Sequence, residues 1–200
     1  MSPNDSSPPA ATNLLAALDS RRSVSVKQLQ PPGPDQQTLL RMLQSAARVP
    51  DHGKRVPFRF VAIRGDARHQ LGEFLARRGA VVHPASSTAT IEKDRGRFSY
   101  APLVVMVVAV LGPDEKVPEQ ERLLSAGCAC FALLQSAQAL GFGACWLTGW
   151  PAYDDEVRRV LGVTAAERIA GFIHIGTPRL RPAERERPDP ASLLTEWSPA

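Results

Sequence analysis

Residues 103–111 read Leu-Val-Val-Met-Val-Val-Ala-Val-Leu, nine apolar side chains in a row and five of them valine. Successive side chains of a strand point to opposite faces. A run that is apolar in both alternations therefore predicts a strand covered on both sides. Further along, residues 121–140 carry the centre Ser125-Ala-Gly-Cys-Ala-Cys-Phe-Ala-Leu-Leu134, small and apolar nearly all round. A long helix with no polar face has to be covered on every side, by the rest of the fold or by a second subunit. This strand and this helix predict the middle layers of the protein.

The pattern outward is one of alternating helices and strands. Leu14, Leu15 and Leu18 share a face of a short helix through Ser20, with Thr12 or Asn13 as its cap. Residues 24–34, rich in proline, read as a linker. A second helix begins at Asp35 and stops at Pro50, with Leu39, Leu40, Leu43, Ala46 and Ala47 at helical spacing. Phe58 to Ile63 reads as a strand, Ala67 to Arg78 as a helix, and 79–99 as a loop with a helical piece. Phe142 to Leu147 and Ile169 to Ile175 are strands on either side of a helix from Asp154 to Leu161. Thr164 and Glu167 have capping-box spacing for one more helical turn. The order predicts an α+β fold: a small mixed, mainly antiparallel sheet flanked by helices.

Composition sets the class. At 200 residues, 44% apolar and 22% charged, the chain can form one domain with a full core and no disulfides. The prolines cluster at the ends, so residues 1–11 read as a disordered lead-in and 176–200 as an extended tail, around a single domain over 12–195. The three cysteines (Cys128, Cys130, Cys145) form no CxxC pair, and the four histidines are scattered, so no metal site is predicted. The net charge of +4 is spread over separated arginines with no dense basic block. That pattern argues against the alternative of a nucleic-acid-binding module. No apolar run is long enough for a membrane span, and the first residues lack a secretory pattern, so a soluble cytoplasmic protein is expected.

There is no Walker loop and no GxSxG. Gly141-Phe-Gly143 is half of a dinucleotide fingerprint, but Trp146 stands where its third glycine belongs. Three other segments carry polar groups suited to a ligand. Arg21-Arg22-Ser23 follows the first helix and offers two guanidiniums and a hydroxyl to a phosphate; the helix dipole also explains basic residues at a helix C-terminus. Arg48-Val-Pro-Asp-His52 is a polar turn in which His52 could donate to an anion or simply be solvated. Trp146-Leu-Thr148-Gly follows a strand and could face a flat ring, or could be a strand-end core tryptophan.

Taken in order, Arg21-Arg22-Ser23, Arg48-x-Pro-Asp-His52, Pro57-Phe-Arg-Phe60, Ser125-Ala-Gly-Cys128, Gly141-Phe-Gly143, Trp146 and Gly171-Phe-x-x-x-Gly-Thr-Pro178 resemble the nitroreductase family, in its compact bacterial branch. The resemblance covers residues 12–195. It implies an interlocked homodimer with FMN at the subunit interface and NAD(P)H as electron donor to a small acceptor such as a nitro compound or quinone. It assigns Arg21, Arg22 and Ser23 to the FMN phosphate and ribityl end. Arg48 and His52 become flavin contacts from the other subunit, and Trp146, Leu147 and Thr148 the opposite flank of the flavin. Ser136, Ala137, Gln138, Ala139, Leu140 and Gly141 occupy the segment associated with the nicotinamide nucleotide. Leu147 departs from the branch, which has a polar or basic residue there; Arg179 and Arg181 offer compensating charge. No catalytic side chain is implied, because the cofactor carries the chemistry. Flavin storage or flavin breakdown on the same scaffold are the alternatives within the resemblance.

Overall fold

A computed structural model describes residues 11–199, with side chains from Leu14 onward. The expected lead-in, residues 1–11, lies outside the described residues apart from Ala11. Helix α1 runs Ala11–Ser20, beginning one residue before the nearer of the two expected caps. It is followed by a two-residue strand β1 (Leu29–Gln30), α2 (Gln36–Ala46), β2 (Phe58–Arg64), α3 (Ala67–Val82) and α4 (Thr88–Gly96). Then come β3 (Leu103–Val110), α5 (Glu119–Ala139), β4 (Gly143–Leu147), α6 (Asp155–Val160) and β5 (Glu167–Pro178). No helix among the described residues is long and apolar enough to cross a membrane.

The sheet is four strands wide. β2 pairs β3 and β3 pairs β5. The far edge of β5 is shared end to end by β4, along Phe172 to Gly176, and by β1, at Thr177 and Pro178. Every pair among the described residues is antiparallel, the antiparallel limit of the expected sheet.

The valine run explains the layering. Leu103, Val105, Val107 and Ala109 face a core built with Leu39 and Met42 of α2 and Ala126, Cys130 and Leu133 of α5. Val104, Met106 and Val108 face the other core, with Leu71 and Leu75 of α3, Phe98 and Phe172. Both faces of the strand are buried, so nothing in it can be polar.

Local chemistry sets the element ends. Asp35 Oδ1 accepts from Thr38 N at 2.7 Å and Asp154 Oδ1 from Val157 N at 3.0 Å, two side-chain N-caps. α5 ends in a Schellman turn. Gly141, at φ 83°, lets Phe142 N donate to Ala137 O at 2.9 Å and Gly141 N to Gln138 O at 3.0 Å. That turn sends the chain straight into β4.

Three expectations are corrected. The 24–34 linker contains β1, whose backbone pairs with the end of β5. The last strand is longer than 169–175, because pairing with β3 and β1 extends it at both ends. Thr164 N donates to Glu167 Oε2 at 2.9 Å and Glu167 N to Thr164 O at 3.1 Å, so a single hydrogen-bonded turn forms, but it leads into β5 and not into a helix. Arg59 of β2 holds the same carboxylate at 2.6 and 2.9 Å, and Glu167 opens β5 instead. The expected cover of α5, by the fold or by a second subunit, is met by the fold on its inner side; within one chain Leu124 is 61% and Phe131 42% exposed on its outer side.

Close packing of α3 on α4 depends on Gly72. A Cβ there would lie 2.1 Å from the Arg95 carbonyl oxygen. Gly72→Ala should therefore destabilise the protein by about 1–3 kcal/mol, the usual cost of overpacking. Urea unfolding of the variant measures it; an unchanged midpoint would show that α4 moves away freely.

Candidate functional site

The end of α1 is tied to the end of α5. Gln138 Oε1 accepts from the Arg22 backbone N at 3.2 Å, while its Nε2 donates to Ser20 Oγ at 3.1 Å and to Ala17 O at 3.4 Å. Val24 N then donates to Ala144 O at 3.0 Å and fixes the following segment beside β4. These bonds open a cleft of about 460 Å³ with Arg21, Arg22 and Arg181 at its mouth and Val24, Leu134 and Phe142 on its walls.

The basic mouth is electrostatically crowded. Arg22 Nη1 donates to Asp19 O at 2.7 Å, and Arg21 Nη1 to Ser23 Oγ at 3.2 Å. Desolvation, then the charges of Arg187, Arg181 and Arg21, lower the proton affinity of the Arg22 guanidinium. The counter-charge comes from the C-terminal segment: Glu184 pairs with both Arg22 and Arg187. Arg21, Arg181 and Arg185 have no ion-pair partner among the described residues. A cleft with this excess of guanidinium charge has the chemistry to hold an anion.

β4 leads from this mouth to the other expected residues. Gly143 and Ala144 line the cleft; Trp146, Leu147 and Thr148 lie at the far end of the strand. Ala144 and Thr148 are about 13 Å apart at the usual rise of a strand. The Trp146 ring lies against Gly171, where a Cβ would come within 2.0 Å of Nε1, and Nε1 donates to Ala170 O at 3.1 Å. Thr148 borders a second cleft of about 460 Å³ with Tyr153, Arg158 and Arg168.

Within one chain Arg48 and His52 stand apart from both clefts. His52 Nδ1 is 2.7 Å from Glu121 Oε2, and both line a shallow pocket with Ser125 and Cys128 on the outer side of α5. Arg48 is exposed and makes no ion pair among the described residues. The 136–141 segment divides. Gln138 and Gly141 reach the first cleft, Ala137 is buried, and Ser136 Oγ is taken up by Ala132 O at 2.8 Å. Ser136, Ala139 and Leu140 instead border a groove beside α1. Glu184 and Arg187 were not foreseen. They lie more than 160 residues from Arg21 and Arg22 in sequence, and no local pattern announces such a pairing.

The sequence pattern of the nitroreductase family matches residues 18–177 of this chain. The chain belongs to the nitroreductase family. It is 35% identical over 182 residues to YdjA of Escherichia coli K12, a protein provisionally named an NAD(P)H nitroreductase, covering 90% of this chain and 97% of that one. Among solved structures, a nitroreductase-like family protein of Bacillus cereus superposes with a TM-score of 0.78 at 19% identity, over 98% of each chain. A nitroreductase-family structure from Desulfovibrio desulfuricans, solved in complex with FMN, gives 0.70 at 23% identity, over 93% of this chain and 98% of that one. The family's α+β architecture is thus the architecture described above.

Proposed function

We propose that this nitroreductase-family protein is an FMN-dependent NAD(P)H oxidoreductase that delivers electrons to a small acceptor such as a nitro compound or quinone. The observation that carries this reading is the joining of Arg21, Arg22 and Arg181 with Gln138 around one cleft beside β4. The relative's name and the FMN-bound fold neighbour support it.

The residues present fit FMN. The surplus guanidiniums suit a phosphate dianion, the polar groups of Ser20 and Gln138 suit a ribityl chain, and the apolar walls suit a flavin ring. Arg21, Arg22, Ser23 and Arg181 would hold the phosphate end, and Trp146, Leu147 and Thr148 would flank the ring. When bound, FMN supplies two-electron chemistry, taking hydride from the nicotinamide and passing electrons to the acceptor. The protein's own part is positional: Gln138 fixes the Arg22 backbone, and Trp146, held by Ala170 O, keeps water from one flank.

We place the working unit as a homodimer. Leu14, Leu18, Leu124, Phe131 and Leu140 are exposed apolar side chains on α1, on α5 and just past its end. Their burial against a second copy would remove a large apolar surface from water and bring Arg48 and His52 to the partner's flavin. Leu193, Leu194 and Trp197, each at least 70% exposed, would find cover there too.

The test begins with colour. The purified protein should be yellow, or turn yellow on adding FMN, and should release FMN on denaturation. It should then oxidise NADH or NADPH when given a nitroaromatic or a quinone. A colourless protein that takes up no FMN would falsify the assignment.

A further inference from the structure

Asp94, on the last turn of α4, is 4% exposed. A carboxylate this deep must have its oxygens satisfied. Its Oδ1 accepts from Arg97 Nη2 at 2.7 Å and its Oδ2 from Trp150 Nε1 at 3.1 Å. Gly79 of α3 leaves the room for this pair: a Cβ there would lie 3.0 Å from Asp94 Oδ2 and 3.4 Å from Trp150 Cζ2. The His83 ring meets the Trp150 indole edge-on at 5.8 Å. Arg97 in turn lies against Gly149, where a Cβ would be 2.9 Å from Nη1. Gly149 has φ 76°, so the turn is shaped for glycine. α3, α4 and the residues beyond them thus grip the Gly149–Trp150 turn from behind.

The turn follows directly on Leu147 and Thr148. Leu147 has no polar side chain to offer a flavin. The N–H groups of Thr148 and Gly149 donate to no acceptor among the described residues. The hydrogen-bond donors that the chain itself offers a flavin edge directly after β4 are these two main-chain N–H groups and the Thr148 hydroxyl. Main-chain donors are only as well aimed as the backbone that carries them.

We propose that Asp94, acting through Arg97 and Trp150, is the positioning residue that aims the Thr148–Gly149 donors at the flavin edge. The inference rests on the FMN reading above and adds to it a group that never touches the cofactor. The Asp94 carboxylate holds one rigid turn geometry, and the free N–H pair is presented already oriented.

Trp150→Phe removes a single bond to Asp94 and keeps an aromatic ring; Asp94→Asn weakens both arms of the clamp. Purified apoprotein is titrated with FMN, following quenching of flavin fluorescence. The reduction potential of bound FMN and the melting temperature of the apoprotein are measured alongside. FMN should bind about 10-fold more weakly in Trp150→Phe, the scale of a misaimed hydrogen bond. Asp94→Asn should lose at least as much, with a shifted potential in both variants. The apoprotein of Trp150→Phe should stay folded and melt about 3–12 °C below the parent, since the bond it loses is to a buried carboxylate. Unchanged FMN affinity and potential, with only a lower melting temperature, would overturn the proposal and leave the clamp purely structural. If Asp94→Asn does not fold, Trp150→Phe alone decides. A parent protein that takes up no FMN removes the cofactor reading and this inference together. A yellow parent with unaffected variants removes only this inference.

Discussion

Arg22→Ala should weaken FMN binding by about 10- to 100-fold, the scale of one lost charge-assisted contact to a phosphate. Its position makes this a clean experiment. The backbone N–H that bonds Gln138 remains in the variant, so the tie between α1 and α5 survives. What disappears is the guanidinium at the cleft mouth, together with its pairing to Glu184. Arg21→Ala should act in the same direction, because Arg21 pairs with no carboxylate among the described residues. Fluorescence titration of both apoproteins gives the affinities. Unaltered binding in both would move the phosphate away from 21–23, and with it the orientation of the cofactor along β4.

The second large effect concerns stability in acid. His174 of β5 is 1% exposed, its Nδ1 has no hydrogen-bond partner among the described residues, and its ring stacks on Phe98 at 5.5 Å. Burial, with a smaller contribution from the Arg97 charge, pushes its pKa down from 6.5 to about 4. In the unfolded chain this histidine takes up a proton near pH 6.5; in the folded protein it does so only near pH 4. The unfolded state therefore binds more protons between these values. The stability is fully present above pH 6.5, falls as the pH drops through that window, and levels off below about 4. The total loss is about 3 kcal/mol. Glu167, held down to about 2 by Arg59, adds a further loss at lower pH, beginning below 4.5. Urea unfolding at a series of pH values should show the decline, and His174→Phe should flatten it between pH 6.5 and 4. The ring stack is kept in that variant and no hydrogen bond of Nδ1 is lost. A decline that persists unchanged in His174→Phe would assign acid sensitivity to the carboxylates instead.

His174 and Asp94 show why part of this protein could not be read in advance. Neither sits in a recognisable pattern. Asp94 lies in the stretch 79–99, whose polar composition predicts only a loop with a helical piece. Yet α4 forms there, and Gly72 and Gly79 of α3 let it pack closely enough to bury the carboxylate against Trp150. His174 stands in an apolar strand as one polar letter. Only the packing of Phe98 and the nearness of Arg97 give it its unusual acidity. The clasp of Gln138 on Arg22 spans 116 residues of sequence, and the Arg22–Glu184 pair spans more. Local patterns carry no record of such distances.

What the sequence determined by itself is what depends on periodicity and nearest neighbours. The valine run 103–110 had to be a strand buried on both faces. Asp35 and Asp154 had to start helices, and Gly141 had to end one, because side-chain oxygens and a positive φ act within a few residues. The ordered motifs from Arg21 to Pro178 pointed to the family. The tertiary structure decided which of those motifs meet. It joined 21–23 to Gln138 and Gly141, and it put Trp146–Thr148 about 13 Å along β4. It left His52 on the outer side of α5 and Arg48 exposed just past α2, neither of them lining either cleft in one chain. It also extended the last strand and gave Glu167, which still accepts from Thr164 N, a second partner in Arg59. The physical reason is common to all of these. Long-range pairing is set by which surfaces can be buried together, and that is a property of the packed chain and not of any segment within it.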